Sequence, residues 1–425
     1  MNRKVQLSEE TSSQNNTVDK RNRGKIIQVV YIIAALDITW MFLQFSITPY
    51  LAKKLGFDTL WFGYLQTMVG FCQLFGGPLF GRFGDLFGAR TALSVACSSS
   101  VVFFLLLAAA NHPAMLFIHK LPTLLMHIIP SEHLSAFNMV VTDLSEPDKR
   151  ADALSKLGLC FGVGMIAGST LGGHLNTRYG EKITACVGAA GSFFSLLLVL
   201  KFIPKNTKVH ASTAPANAGS NKKTSIFSVD QITRLMKFPG VARTFIVKIA
   251  VSLPSGIFQV MFSIIALEFF KLQPEENGYL MAFFGIVQMV IQGGVIGRMT
   301  ARFSESSLLL LSVGVSALVG LGQANMQTVF QLCLTIIPMM FSLSMFNVIT
   351  DSMLTKSVPS SDTGTMLGLC SSVQSLLRTV GPTIGGFLYV NFGLPSIGTV
   401  QFVMNAAVFT YLLRRHLKNT DEQKE

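Results

Sequence analysis

Gly63-Tyr64-Leu65-Gln66-Thr67-Met68-Val69-Gly70-Phe71-Cys72-Gln73 returns 215 residues later as Gly278-Tyr279-Leu280-Met281-Ala282-Phe283-Phe284-Gly285-Ile286-Val287-Gln288. Gly, Tyr, Leu, Gly and Gln keep their spacing, and most of the rest is apolar. Gly81-Arg82 follows the first copy as Gly297-Arg298 follows the second, at an offset of 216. Further along, Thr142-Asp143, Leu157-Gly158-Leu159-Cys160, Gly172-Gly173 and Tyr179-Gly180 match Thr350-Asp351, Leu367-Gly368-Leu369-Cys370, Gly385-Gly386 and Phe392-Gly393. A colinear series of this kind marks a duplication. In membrane carriers such repeats place the pathway between the two halves, near the bilayer midplane.

The solvent of this chain is lipid. Half of its 425 residues are apolar, 13% are charged, and the mean hydropathy is +0.50. A soluble domain carries about a quarter charged residues. Apolar runs long enough to cross a bilayer, roughly 20 residues each, lie near 26–50, 60–80, 91–110, 114–141, 153–176, 183–203, 244–270, 277–297, 307–325, 328–350, 364–390 and 396–413. They must be helices, because backbone groups in oil have to be satisfied internally. The fold class expected is therefore an all-α membrane protein with twelve transmembrane helices in two six-helix bundles.

A net charge of +12 would suggest nucleic acid for a soluble chain. Here the basic residues sit at the ends of apolar runs. With the N-terminus inside, 26 of the 34 Lys and Arg residues fall on inside segments, and Lys53, Lys54, Arg178, Lys182 and Lys271 fall outside. That bias fixes the orientation and favours an even number of spans. The expected organisation is a cytoplasmic tail (1–25), a first bundle (26–203), a basic cytoplasmic linker (204–243), a second bundle (244–413) and a cytoplasmic tail (414–425). Within the linker, Ile226 to Phe238 can form a basic amphipathic segment at the inner leaflet. The six cysteines all lie in apolar runs, where free thiols are expected rather than a disulfide framework.

Between spans two and three stands Gly81-Arg82-Phe83-Gly84-Asp85-Leu86-Phe87-Gly88-Ala89-Arg90. Glycines give a tight turn, and the carboxylate can meet backbone N–H groups at a helix start or an arginine. Gly81, Asp85, Gly88 and Arg90 thus read as a gating latch. This stretch resembles the loop motif of the major facilitator superfamily. In the second half Ala301 stands near the place of the acid. Gly381-Pro382-Thr383-Ile384-Gly385-Gly386 in span eleven resembles the antiporter motif of drug–proton exchangers. That family carries it in span five, where this chain has Gly168-Ser169-Thr170-Leu171-Gly172-Gly173. Small residues at such spacing also let helices pack closely, and the motif is open between packing and a gate.

Stretches such as Gln44-Phe45-Ser46, Pro49-Tyr50-Leu51, Met261-Phe262-Ser263-Ile264-Ile265 and Ser361 to Cys370 are similar to the organic cation transporter-like solute carriers. That resemblance implies exchange of organic cations for protons at an apical plasma membrane, with lipid handling as a further proposed role. An internal membrane such as the endoplasmic reticulum stays open. Ser131-Glu132-His133-Leu134-Ser135 reads as an insertion in span four.

Charged and polar residues deep in the spans are the candidate site. Asp37 lies about twelve residues into span one, roughly 17 Å along at 1.5 Å per residue. A carboxylate there must hold a proton or find a cation, so Asp37 is the proton or cation candidate. Arg378 is equally deep in span eleven and keeps its charge; it pairs with Asp37 or binds an anionic group. His127, Gln44, Gln73, Gln259, Gln288 and Asn347 are further cavity-lining candidates. Lys248 is expected to snorkel to the inner interface. Asp143 and Asp351 are expected to pair with basic groups such as Arg150 or Lys356.

The function expected is secondary active transport by alternating access, with organic cation/proton antiport first, and a lipid or amphipath carrier or a non-transporting regulator as alternatives. The expected partners are a small organic cation or amphipath, protons and the lipid bilayer, with no nucleic acid and a monomeric transport unit. No cofactor, metal site or enzymatic activity is expected, since phosphate loops and nucleophile–base pairs are lacking.

Overall fold

A computed structural model describes residues 24–126, 137, 140, 141, 144, 150–204, 229–359 and 363–422. The described residues form helices and connecting turns. The first span, Gly24–Lys54, is broken at a single 3-10 turn, Gln44–Ser46. The second and third, Thr59–Phe87 and Ala89–Ala108, meet at Gly88. The fourth begins with Pro113–Ile118 and Thr123–Met126, separated by a turn that carries His119 and Lys120. Of its remainder Phe137, Val140, Val141 and Leu144 are described and buried, while His127, Glu132, His133, Thr142 and Asp143 lie outside the described residues.

Spans five and six run as one helical stretch, Arg150–Phe202, turned at Gly180 with φ 80° and ψ 175°. That conformation belongs to glycine, because a Cβ would crowd the carbonyl. Span seven is Val241–Glu268, and span eight, Pro274–Arg302, contains a π-helical segment at Ile291–Ile296. Spans nine and ten, Glu305–Asn325 and Val329–Lys356, start with side-chain caps from Ser304 and Thr328. Such caps satisfy backbone donors that the helix leaves open. Span eleven is Thr363–Phe392, and span twelve continues from Leu394 to Glu422. The chain is a multi-pass membrane protein of twelve spans in two six-helix bundles.

Glycines set how the spans meet. In span five, a Cβ at Gly164, Gly168 or Gly172 would strike Ile38, Thr39 or Leu43 of span one. In span eleven, Gly385 presses on Ile257 and Met261 of span seven. The bundles join along two seams. Gly173 and Gly278 bring spans five and eight into backbone contact, and Gly63 and Gly70 do so for spans two and eleven, at Pro382 and Thr379. Of the antiporter-like glycines, Gly168, Gly172, Gly173 and Gly385 stand at close helix contacts. Spans three and six meet through Ser100 and Ser192, and spans nine and twelve through Ser316 and Asn405.

The linker region contains one described helix, Val229–Met236. Its Leu235 is buried with Val241, Leu354 and Met366, which docks this helix on the second bundle.

Candidate functional site

A cavity of about 310 Å³ lies between the bundles. That is at the small end of the range for ligand pockets, about 300–1,000 Å³. Spans one, two, four and five line it from one half, and spans seven, eight, ten and eleven from the other. Spans three, six, nine and twelve contribute nothing to this lining.

Ten of the 23 lining residues are Phe or Met: Phe42, Phe45, Phe62 and Phe161 on one half and Phe262, Phe284, Met281 and Met340 on the other are among them. Helical spacing explains the selection. Phe62, Gln66 and Val69 share one face of span two, Gln259, Phe262 and Ser263 one face of span seven, and Met281, Phe284 and Gln288 one face of span eight. Two cationic side chains reach the cavity, Lys120 from the first half and Arg378 from the second.

Of the sequence candidates, Gln44, Gln259, Gln288 and Arg378 line the cavity. Asp37 sits one helical turn before Met41 on the cytoplasmic side of the described lining, and its Oδ1 lies 3.9 Å from Cys97 Sγ of span three. Asn347 lies off the lining, where its Oδ1 accepts a hydrogen bond from Gln374 Nε2 at 3.3 Å. His127 and the side chains of Gln73 and Asp85 are outside the described residues. Gly88 shapes the loop with φ 86°, and Arg90 donates to the carbonyl of Leu200 at the end of span six.

Sequence reasoning missed Lys120 as a cavity residue. It is only 5% exposed, with Nζ 3.4 Å from Gln44 Oε1 and 4.9 Å from the Phe103 ring centre. A lysine inside an apolar run was the available signal. Lys248 corrects another expectation. It does not snorkel: it is 2% exposed and bonded to Asp351 and Thr350. Lys356, expected to hold Asp351, instead meets Glu305 at 2.7 Å.

Among the described residues, bonds across the halves gather on one side, the outer side in the expected orientation. Lys53 pairs with Glu268 at 3.0 Å, His174 with Glu275 at 3.2 Å, and Tyr50 Oη donates to the Leu272 carbonyl at 3.0 Å. Thr67 and Thr383 meet at 2.7 Å in the span two–eleven seam. Toward the opposite end, a Cβ at Gly158 of span five or at Gly293 or Gly297 of span eight would meet no described atom within 4 Å. Among the described residues, cross-half bonds thus close one side of the cavity.

The Major Facilitator Superfamily family model matches residues 29–247 and 244–425. Solute carrier family 67 member A1 of Homo sapiens is 49% identical over 92% of this chain and 93% of its own length. Solute carrier family 22 member 18 of Rattus norvegicus is 48% identical over 94% of this chain and 96% of its own. Among solved structures, the nucleoside transporter NupG superposes with a TM-score of 0.73 at 15% identity, over 92% of this chain and 99% of that one. The human organic anion transporter MFSD10 does so with a TM-score of 0.64 at 17% identity, over the same shares.

Proposed function

The chain belongs to the major facilitator superfamily, and we propose that it is a secondary transporter that moves an amphipathic organic solute by alternating access. One observation carries this reading: a cavity lined by both bundles and closed on one side by cross-half bonds. The Phe- and Met-rich lining suits an apolar body, and Gln44, Gln66, Gln259 and Gln288 offer hydrogen bonds to polar groups. Flexible thioethers adapt to more than one shape.

Exchange against protons is the coupling we propose, with Asp37 as the proton site. It lies on the face of span one that carries Met41 one turn further on, and Cys97 is a weak donor that leaves its carboxylate poorly paired. The organic cation expected from the sequence fits this lining less well, since its charged members are Lys120 and Arg378. An amphipath carrier is the reading these side chains support better.

Purified protein in proteoliposomes, loaded with a solute library and subjected to a pH step, tests the proposal. Proton-driven flux of at least one amphipath is the expected result, and no solute movement under any gradient would refute transport. An Asp37→Asn variant is expected to lose the pH dependence of flux. Unchanged pH dependence would remove Asp37 from the coupling.

A further inference from the structure

We propose that Lys120, Gln44 and Thr48 form an anion subsite in the cavity, which receives the carboxylate, sulfonate or phosphate head of an amphipathic solute. The inference rests on the transport reading above and specifies the charge of its solute.

The position of Lys120 is unusual for a lysine. It sits in the turn between the two short helices of span four, so its side chain leaves the backbone toward span one rather than along the helix toward an interface. Snorkelling is thereby prevented, and the ammonium is held at 5% exposure on the cavity wall. Its described partners are neutral: the Gln44 carbonyl oxygen at 3.4 Å and the face of Phe103 at 4.9 Å. An ammonium has three protons to donate, and one long amide contact and one ring leave it under-compensated. Buried charges are ordinarily paired. Among the described residues, no carboxylate reaches it.

One turn from Gln44, Thr48 lines the same cavity, with its hydroxyl oxygen buried behind the wall. It is 4% exposed and its Oγ1 has no hydrogen-bond partner. The cavity wall therefore holds a cation without a counter-ion among the described residues and, one turn along span one from its Gln44 partner, a hydroxyl without an acceptor; one oxyanion in the cavity meets the first need and, with a turn of the Thr48 side chain, the second. From the opposite half Arg378 brings a second basic side chain to the lining, and none of the described lining residues is acidic. Around these polar groups the wall is Phe42, Phe45, Phe62 and Phe284, which suits an apolar tail.

Three pyrene amphipaths that differ only in head group test the subsite: pyrenebutyrate, pyrenebutanol and pyrenebutyltrimethylammonium. Binding to the purified full-length protein is read by fluorescence anisotropy, and movement by efflux from proteoliposomes. Pyrenebutyrate is expected to bind tightest. Lys120→Gln is expected to weaken pyrenebutyrate by about tenfold, the scale of one hydrogen bond to a charged group, and to leave pyrenebutanol within about twofold. Retained pyrenebutanol binding certifies the fold of the variant, and Lys120→Arg is expected to restore most of the anion affinity. Thr48→Val is expected to act in the same direction as Lys120→Gln, but less. Equal loss of all three probes in Lys120→Gln, unchanged pyrenebutyrate affinity, or no binding of pyrenebutyrate to the wild type would each overturn the subsite. Wild-type protein that moves the trimethylammonium probe and not pyrenebutyrate also overturns it while leaving transport intact. Lys120-dependent binding without movement supports the subsite and refutes transport.

Discussion

Lys248 of span seven and Asp351 of span ten form an ion pair of 2.8 Å in which the ammonium is 2% exposed and the carboxylate 40%. Thr350 Oγ1 supplies a second acceptor at 3.0 Å. The lysine is thus held inside the second bundle by a partner that itself reaches water. Thr350-Asp351 is the repeat of Thr142-Asp143, so a duplicated pair of residues has become, in this half, the anchor between two spans.

Removing the acid strands the cation. Asp351→Asn is expected to destabilise the protein by about 2–3 kcal/mol, the lower part of the range for breaking a buried pair because Asp351 is partly solvated. Combining it with Lys248→Met is expected to recover at least half of the loss, since no charge is then left in apolar surroundings. Thermal unfolding in detergent, followed by tryptophan fluorescence or thiol-reactive dye, checks both. If the double variant is less stable than Asp351→Asn, the pair does more than neutralise.

Gly180 and Gly393 share a place in the repeat and a backbone conformation, with φ 80° and 75°. Each turns the chain between an inner and an outer span, five into six and eleven into twelve. Alanine meets no clash at Gly180 but must adopt the left-handed region there. Gly180→Ala and Gly393→Ala are each expected to cost about 1–2 kcal/mol, again by thermal unfolding. Gly293→Ala, with φ in the ordinary helical region, is the control expected to be neutral or slightly stabilising. Equal effects at all three positions would contradict the conformational explanation.

These examples mark what was legible in the chain. The repeat carried the two-bundle architecture because glycines at helix crossings and turns are fixed by sterics, which act through a residue's own backbone. Gln44, Gln259, Gln288 and Arg378 were legible as lining because polar groups in an apolar run must face away from lipid. Pairings across spans were not legible. Lys248 lies one turn inside span seven, where snorkelling and pairing look alike until Asp351 is placed beside it. Asn347 obeyed the same polarity rule, yet Gln374 satisfied it outside the cavity. Lys120 stood among histidines in a span whose break could not be read from hydropathy, and that break is what aims it at the cavity.

On the outer side, Lys53–Glu268 and His174–Glu275 tie the first bundle to the second. Tyr279 Oη also donates to Glu275, at 2.8 Å. Solvated pairs of this kind are individually weak, but the two cross-half pairs, unlike the Tyr279–Glu275 bond within span eight, need the bundles together on this side, so they bias one state of the proposed cycle. Glu268→Gln with Glu275→Gln is expected to raise the outward-open population several-fold. Spin labels at Arg178→Cys and Asn391→Cys, with the six native cysteines replaced, would report it as a longer distance component. A distribution unchanged from that of the parent would mean that the helix seams, not the charges, hold the face shut.

The glycines of span eight bear on both states. At its outer end Gly278 lies against the Ser169 carbonyl, and Gly173 of span five against that of Pro274, where a Cβ would come within 2.5 Å of the oxygen. Backbone atoms cannot step aside, so Gly278→Ala must part spans five and eight, at a cost on the order of 1–3 kcal/mol of overpacking. This cost falls on the outer-closed state, and the equilibrium should move toward outer opening. Toward the opposite end, a Cβ at Gly293 or Gly297 would meet no described atom within 4 Å in the present state, nor would one at Gly158 of span five. Alternating access requires these inner ends to meet when the outer ends part. Gly297→Leu is therefore expected to leave the stability of the present state unchanged and to hinder the closure of these ends, so that solute binds but turns over slowly. Opposite shifts for Gly278→Ala and Gly297→Leu in the same distance measurement would follow from a rocking motion about the cavity. Shifts of the same sign would exclude it.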